Sequence, residues 1–125
     1  MTLLYPDLSK TIYDCAFEVH KQLGPGLLES AYEVCLEKEL TEAGMFVERQ
    51  KNLPVPYKGI QLDVSYRVDL FIDRKIIIEL KSVESVHPLH TAQLMTYLKL
   101  TGCHLGFLIN FNVVFLKEGI KRYVL

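Results

Sequence analysis

The segment covering residues 66–81 constrains the fold of this chain more than any other part of it, because it encodes two β-strands and the turn between them. Residues 73–75, Asp-Arg-Lys, separate two runs rich in Val, Ile, Leu and Phe, which is the pattern of a β-hairpin with a three-residue loop. Such a loop places Ile72 opposite Ile76, and side chains then alternate between the two faces. The hairpin therefore predicts one apolar face, which comprises Val68, Leu70, Ile72, Ile76, Ile78 and Leu80.

The other face of the hairpin carries ionisable side chains. In the same register Asp69 lies opposite Glu79, and Lys81 projects from the same face two residues further along. Two opposed carboxylates repel each other, and burial adds a desolvation cost. A divalent cation between them removes both penalties, and Mg²⁺ typically binds through one or two carboxylates. A nearby ammonium can orient water or stabilise charge on a phosphate, so these residue types suit metal-assisted phosphodiester hydrolysis.

A purely structural interpretation of the same residues is also open. Carboxylates and lysines on alternate positions are typical of the solvated outer face of a half-buried sheet. However, three isoleucines precede Glu79, which is typical of a covered central strand, where lone carboxylates are rare.

The rest of the chain predicts helices packed on a mixed sheet. Apolar residues spaced by three and four indicate helices, and runs of Val, Ile, Tyr and Phe indicate strands. The core face of the second helix is expected to hold Leu28, Ala31 and Cys35, with Leu36 and Leu40 as further candidates. The predicted helices cover residues 7–23, 27–43 and 88–100, and the predicted strands cover residues 45–57, 60–72, 76–81, 103–110 and 119–124. The order ααβββαββ predicts a single α/β (α+β) domain over residues 1–125, with a mixed β-sheet flanked by helices.

Composition and charge exclude several classes of protein. The 14 basic and 15 acidic residues give a net charge of −1, which excludes a polybasic protein that holds nucleic acid by bulk charge. The three cysteines lack CxxC spacing and are expected to be free thiols in a reducing cytoplasm. No apolar run reaches the roughly 20 residues of a transmembrane helix, and the N-terminus lacks the pattern of a secretory signal. We therefore expect a cytoplasmic protein with no membrane contact.

Two sets of motifs resemble known families. Asp69, followed after nine residues by Glu79-Leu80-Lys81, resembles the D…ExK core of the PD-(D/E)XK nuclease superfamily. Gly26, Glu29 and Tyr32 resemble the signature of the family called GxxExxY proteins. Further strings that match this family are Glu48-Arg49-Gln50, Tyr66-Arg67-Val68-Asp69, Gln93-Leu94 with Tyr97-Leu98, Leu108-Ile109-Asn110-Phe111 and Gly119-Ile120-Lys121-Arg122. The resemblance covers nearly the whole chain and implies a restriction-endonuclease-like fold and a nuclease activity.

The resemblance also implies roles for residues outside the hairpin. In related nucleases an acidic residue on an early helix completes the metal site, so Glu29 becomes a metal-ligand candidate beside Asp69 and Glu79. Gln93 and Tyr97 share one face of the third helix and are candidates for contacting the site or the substrate. The structural alternatives are helix-start stabilisation for Glu29 and a solvent-facing stripe for the third helix. The remaining candidates are Arg67 for a nucleic-acid contact, His20 as a ligand or base, and Tyr32.

Two functional hypotheses follow. The first is a nuclease that uses Mg²⁺ or Mn²⁺, in which Asp69 and Glu79 hold the metal and Lys81 activates or orients water; DNA is favoured over RNA as its substrate. The second is a catalytically inactive module that keeps the nuclease fold and binds a partner. For this second hypothesis a partner protein or a homodimer would supply specificity. Metal binding by the two carboxylates discriminates between the hypotheses.

Overall fold

The computed structural model describes residues 4–64 and 66–125, which contain three α-helices and seven β-strands. The helices are α1 (Pro6–Leu23), α2 (Glu29–Glu42) and α3 (Pro88–Thr101). The strands are β1 (Val47–Leu53), β2 (Pro56–Tyr57), β3 (Ile60–Gln61), β4 (Tyr66–Ile72), β5 (Ile76–Lys81), β6 (Leu105–Asn110) and β7 (Ile120–Val124). A short 3₁₀ helix at Leu116–Glu118 precedes β7.

Five of the strands form one mixed sheet in the order β1-β4-β5-β6-β7. Strands β5 and β6 run parallel, whereas the other neighbouring pairs are antiparallel. The crossover from β5 to β6 contains α3, as a parallel connection requires. The predicted α+β class and the order ααβββαββ are therefore confirmed for the main sheet.

The helices cover both faces of this sheet, which gives the molecule two apolar clusters. Side chains of α1 and α2, such as Ile12 and Leu36, pack against Leu70, Ile78 and Phe107 on one face. On the other face α3 packs on the sheet through a second cluster of Leu53, Val68, Ile77, Leu94, Tyr97, Leu98, Cys103 and Leu108. Strand β5 lies at the centre, and all of its residues except the last are buried. A carboxylate on β5 is therefore held in a covered part of the sheet.

The long strands predicted over residues 45–57 and 60–72 are each interrupted. Strand β1 ends at Leu53, just before Pro54, and it lies at an edge of the sheet, which is where prolines are tolerated. Strands β2 and β3 form a separate two-stranded hairpin around the predicted turn at residues 58–59. Lys58 and Gly59 both have positive φ, which is the conformation of a tight hairpin turn.

The predicted core face of α2 is wrong at its first position. The helix begins at Glu29, so Leu28 is an extended N-cap residue whose side chain is 77% exposed. Tyr32, Leu36 and Leu40 are instead fully buried, and their spacing of four defines the stripe that faces the core. Ala31 and Cys35 lie at the margin of this stripe and are half-buried.

No helix in the described ranges combines the length and the apolar composition needed to cross a bilayer.

Candidate active site

The hairpin of β4 and β5 has the predicted three-residue loop. Ile72 pairs with Ile76, and the ladder continues to Leu70 paired with Ile78. Asp73 and Arg74 both have positive φ, and the Asp73 side chain accepts a hydrogen bond of 2.9 Å from the Phe46 amide. The register on which the sequence argument depends is therefore present.

The ladder between β4 and β5 ends before it reaches Asp69 and Glu79, and these two side chains take its place. A carboxylate oxygen of Glu79 accepts a hydrogen bond of 2.8 Å from the Asp69 amide. In return, Oδ2 of Asp69 accepts one of 2.8 Å from the Leu80 amide. The two carboxylates thus face each other between diverging strands and satisfy the backbone groups that the ladder leaves free.

The same divergence overturns the prediction that Val68 shares a face with Leu70. Leu70 belongs to the cluster on the side of α1 and α2, whereas Val68 belongs to the cluster under α3. Regular alternation would place both residues on one face. The alternation breaks at Asp69, where side-chain hydrogen bonds replace strand pairing with β5.

A third carboxylate joins the pair from α2. Glu33 is only 8% exposed. The side-chain amide of Gln50 donates one hydrogen bond to Glu33, at 2.6 Å, and one to Oδ1 of Asp69, at 3.1 Å. Arg49 lies 3.6 Å from the other oxygen of Glu33. Glu33 and Gln50 were not among the residues predicted for the site. The available signals were the position of Glu33 one helical turn after Glu29 and the Glu48-Arg49-Gln50 string.

Burial and mutual repulsion dominate the electrostatics of these carboxylates. Glu79 is 4% exposed, and desolvation followed by the charge of Asp69 raises its pKa to about 8. Burial also raises the pKa of Glu33; the hydrogen bond from Gln50 opposes this rise and the charge of Asp69 adds to it. A positive charge placed between the groups would relieve both effects.

Lys81 is the cation that β5 contributes beside this cluster. It is half-buried at the end of the strand, and its charge partly offsets the rise in the pKa of Glu79. Partial burial of His90 lowers its pKa, and the charge of Lys81 lowers it further. The ammonium of Lys81 therefore lies near both Glu79 and His90. Within the described part of the chain Lys81 forms no ion pair with a carboxylate, which leaves its ammonium available to an incoming anion.

The donor set suits a hard divalent cation with few protein ligands. Within residues 4–64 and 66–125, no three His, Cys, Asp or Glu side chains are arranged to hold a metal ion. Asp69 and Glu79 are the side chains that could hold such an ion, with its remaining positions left to water and substrate. This is the usual manner in which Mg²⁺ binds.

The structure does not bring Glu29 to the pair. Its side chain is exposed in the first turn of α2, and its charge acts on His90. Arg67 is exposed on β4, two residues before Asp69.

Tyr97 lies beside the carboxylates, whereas Gln93 lies one turn away on the exposed side of α3. Tyr97 is 5% exposed, and burial followed by the charges of Glu79 and Asp69 raises its pKa to about 12. Gln93 lines an open cavity together with Tyr97 and Tyr66.

His20 and Tyr32 have structural contacts away from the carboxylates. The His20 ring lies 2.8 Å from the carbonyl oxygen of Val113 and stacks on Phe111. Tyr32 stacks on the same phenylalanine, and its hydroxyl donates to the Gly24 carbonyl at 2.6 Å and accepts from the Leu27 amide at 3.1 Å. Tyr32 thus fixes the loop between α1 and α2.

Comparisons with known proteins gave matches to a family profile and to a solved structure. A family profile described as the PD-(D/E)XK nuclease superfamily matches residues 6–123. The crystal structure of a protein named SSO0001 is similar over 94% of this chain, with 23% sequence identity and a TM-score of 0.49. The matched region spans 60% of that protein's chain. No curated protein matches the sequence.

Proposed function

The chain belongs to the PD-(D/E)XK nuclease superfamily, and from this premise we propose that it hydrolyses phosphodiester bonds of nucleic acid with the help of Mg²⁺ or Mn²⁺ held by Asp69 and Glu79. The observation that carries the proposal is the pair of carboxylates beside Lys81: buried Glu79 accepts a hydrogen bond from the Asp69 amide, and half-buried Asp69 accepts one from the Leu80 amide. The position of the pair on β4 and β5 matches the order of the acidic and basic residues in the superfamily motif.

The chain's own residues divide the chemistry between them. A bound cation supplies charge stabilisation at the phosphate and lowers the pKa of bound water. Lys81 provides a fixed positive charge for the phosphate and orients the attacking water. Tyr97 is buried close enough to both carboxylates to feel their charges, and its hydroxyl is assigned to positioning the site. Arg67 and Gln93 are assigned to substrate contacts.

We assign the third acidic role to Glu33 in place of Glu29. Gln50 links Glu33 to Asp69 through two hydrogen bonds, so Glu33 acts as a positioning residue for the carboxylate that binds the metal. Glu29 lies a turn away and is exposed, so its substitution is expected to have a smaller effect on cleavage.

The narrower assignment to the GxxExxY family is also a proposal. It is supported by Gly26, which has a φ of 96°, and by Tyr32, which fixes the loop that contains this glycine. In this interpretation the signature preserves the entry into α2, and through α2 the position of Glu33.

The test is cleavage of labelled single- and double-stranded DNA and RNA in the presence of Mg²⁺ or Mn²⁺. We expect metal-dependent cleavage, and a loss of at least about 100-fold in Asp69→Asn, Glu79→Gln and Lys81→Met. The matched controls are Asp14→Asn and Glu42→Gln, which change exposed carboxylates paired with lysines on α1 and α2. No cleavage of any substrate, or full activity in Asp69→Asn, contradicts the proposal and favours a binding module with the nuclease fold.

A further inference from the structure

A cavity of about 370 Å³ opens between α3 and the start of β4. Its walls are mostly apolar, and within the described residues no charged side chain lines it. Such walls do not suit a phosphate; they suit an uncharged group with a large apolar surface. The side chains that line the cavity include Val55, Tyr66, Leu89, Gln93, Thr96 and Tyr97.

The cavity shares a wall with the candidate active site. Tyr97 lines the cavity, and its hydroxyl also lies in the field of Glu79 and Asp69. Tyr66 also lines the cavity, and it precedes Asp69 by three residues on β4, which is about 10 Å along a strand. The cavity therefore adjoins the carboxylates, and one bound strand can contact both.

Tyr66 provides an aromatic surface at the mouth of this cavity. Tyr66 is 45% exposed, and its ring packs edge-on against Tyr97 with 6.4 Å between the ring centroids. Because Tyr97 is buried, it holds the Tyr66 ring in place while much of that ring stays open to a ligand. Bases of single strands stack on aromatic side chains presented in this way.

We propose that this cavity binds a base of an unpaired strand whose phosphodiester lies at Asp69 and Glu79, so that the substrate is single-stranded nucleic acid. This inference rests on the nuclease function proposed above. The Tyr66 ring stacks on the base, and the Gln93 amide offers a donor and an acceptor to the base edge. In a duplex the base is already stacked and paired, and it must leave the helix before it can enter the cavity.

The experiment measures binding by fluorescence anisotropy in EDTA, where no metal-dependent cleavage occurs. The probes are labelled oligonucleotides of one sequence: single-stranded DNA, single-stranded RNA, a single strand with abasic positions, and a blunt duplex. We expect both intact single strands to bind about tenfold more tightly than the abasic strand and the duplex. Tyr66→Ala should lose about tenfold in affinity for single strands, and Tyr66→Phe should retain the wild-type affinity.

Two further variants complete the design. Gln93→Ala, at an exposed helical position, is expected to weaken single-strand binding severalfold without affecting folding, so it tests the inference if Tyr66→Ala does not fold. Phe115→Ala is the matched control, because this exposed aromatic residue lines a different cavity with Phe17 and His20 on the side of α1.

Equal affinity for single-stranded, abasic and duplex probes overturns the inference. So does unchanged affinity in both Tyr66→Ala and Gln93→Ala. Because the readout is binding without cleavage, either failure leaves the nuclease proposal standing. Conversely, the cleavage test with Asp69→Asn can fail without altering these affinities.

Discussion

The protonation of Glu79 determines how the site responds to pH. Burial and the neighbouring Asp69 raise the pKa of this carboxyl to about 8, so without a cation Glu79 keeps its proton at neutral pH. A metal ion binds the ionised form and must displace that proton. Metal binding and proton release are therefore linked at this one residue.

The linkage predicts that Mn²⁺ affinity rises with pH. We expect the dissociation constant to fall about tenfold for each pH unit between about pH 6 and 8, and to level off above about pH 8. Titration calorimetry measures this, and repeating it in buffers of different ionisation enthalpy counts the released proton. In Glu79→Gln the affinity for Mn²⁺ should no longer depend on pH. A wild-type affinity that does not change with pH contradicts the assignment.

The same pKa predicts how stability depends on pH in EDTA. Between about pH 4.5 and 8 the native state holds a proton on Glu79 that the unfolded state has lost, so the free energy of unfolding falls as pH rises through this range. Glu79→Gln has no such proton. Relative to wild type, it should therefore gain a few kcal/mol between pH 5 and pH 8.5, as measured by urea unfolding. Glu42→Gln, an exposed control, should show no such gain, and an identical pH profile in Glu79→Gln and wild type contradicts the prediction.

The sequence predicts the pair of carboxylates, Asp69 and Glu79, but not the third acidic residue of the site, Glu33. Asp69 and Glu79 are predictable because the loop and the first three pairs of the hairpin bring them opposite each other, although the ladder itself stops before them. Glu33 and Gln50 meet Asp69 only through the packing of α2 against the sheet and the positive φ of Gln50 on β1. No local pattern encodes that approach, so the acidic residue favoured by family resemblance, Glu29, lies one turn too early on the helix.

At the scale of elements, the loop between α1 and α2 determines where α2 begins. The hydroxyl of Tyr32 bridges the Gly24 carbonyl and the Leu27 amide, so the chain between them cannot extend the helix backwards. The apolar spacing alone predicted a start near residue 27 and placed Leu28 in the core. The hydrogen bonds of a buried tyrosine, which periodicity does not reveal, correct both points.

This bridge predicts a measurable cost for removing one oxygen atom. Tyr32→Phe keeps the ring stacked on Phe111, 4.5 Å away between centroids, but leaves two backbone groups without their partner. We expect a loss of about 1–2 kcal/mol in the free energy of unfolding by urea titration. Tyr13→Phe is the control, because its ring also packs on a phenylalanine and its hydroxyl forms no hydrogen bond within the described ranges. Equal stabilities of the two variants contradict the bridge.

The hairpin of β4 and β5 shows where an element can be predicted and where it cannot. Its loop and first three pairs follow from composition and alternation. The open end of the hairpin does not follow from them, because there the backbone amides of Asp69 and Leu80 donate hydrogen bonds to carboxylate side chains and not to the neighbouring strand. A prediction from alternation assumes that strand pairing continues. Because the pairing stops before Asp69, alternation predicts the wrong face for Val68.

At the scale of the whole molecule, charge and architecture limit how nucleic acid can be held. The net charge of −1 gives no long-range attraction to a polyanion, so affinity must come from contacts at the site and at the adjoining cavity. The site lies on the central strand of a sheet whose two faces are both covered by helices. Strand β5 is buried except at Lys81, so we expect the substrate to approach at that end of the strand.

This balance predicts a weak dependence of binding on salt. If Lys81, Arg67 and one further cation neutralise phosphates, the slope of log affinity against log salt for a single strand should be about −2. Anisotropy titrations in EDTA across a range of NaCl concentrations measure it. A slope steeper than about −5 contradicts the local site and indicates an extended basic surface.

The central claim is that Asp69 and Glu79 share one divalent cation. The most direct test is an anomalous difference map from crystals soaked in Mn²⁺, for wild type and for Glu79→Gln. We predict one strong peak in contact with both carboxylates, beside Lys81, and its loss or marked weakening in the variant. A wild-type map with no peak at these side chains, or with manganese bound only elsewhere, contradicts the claim.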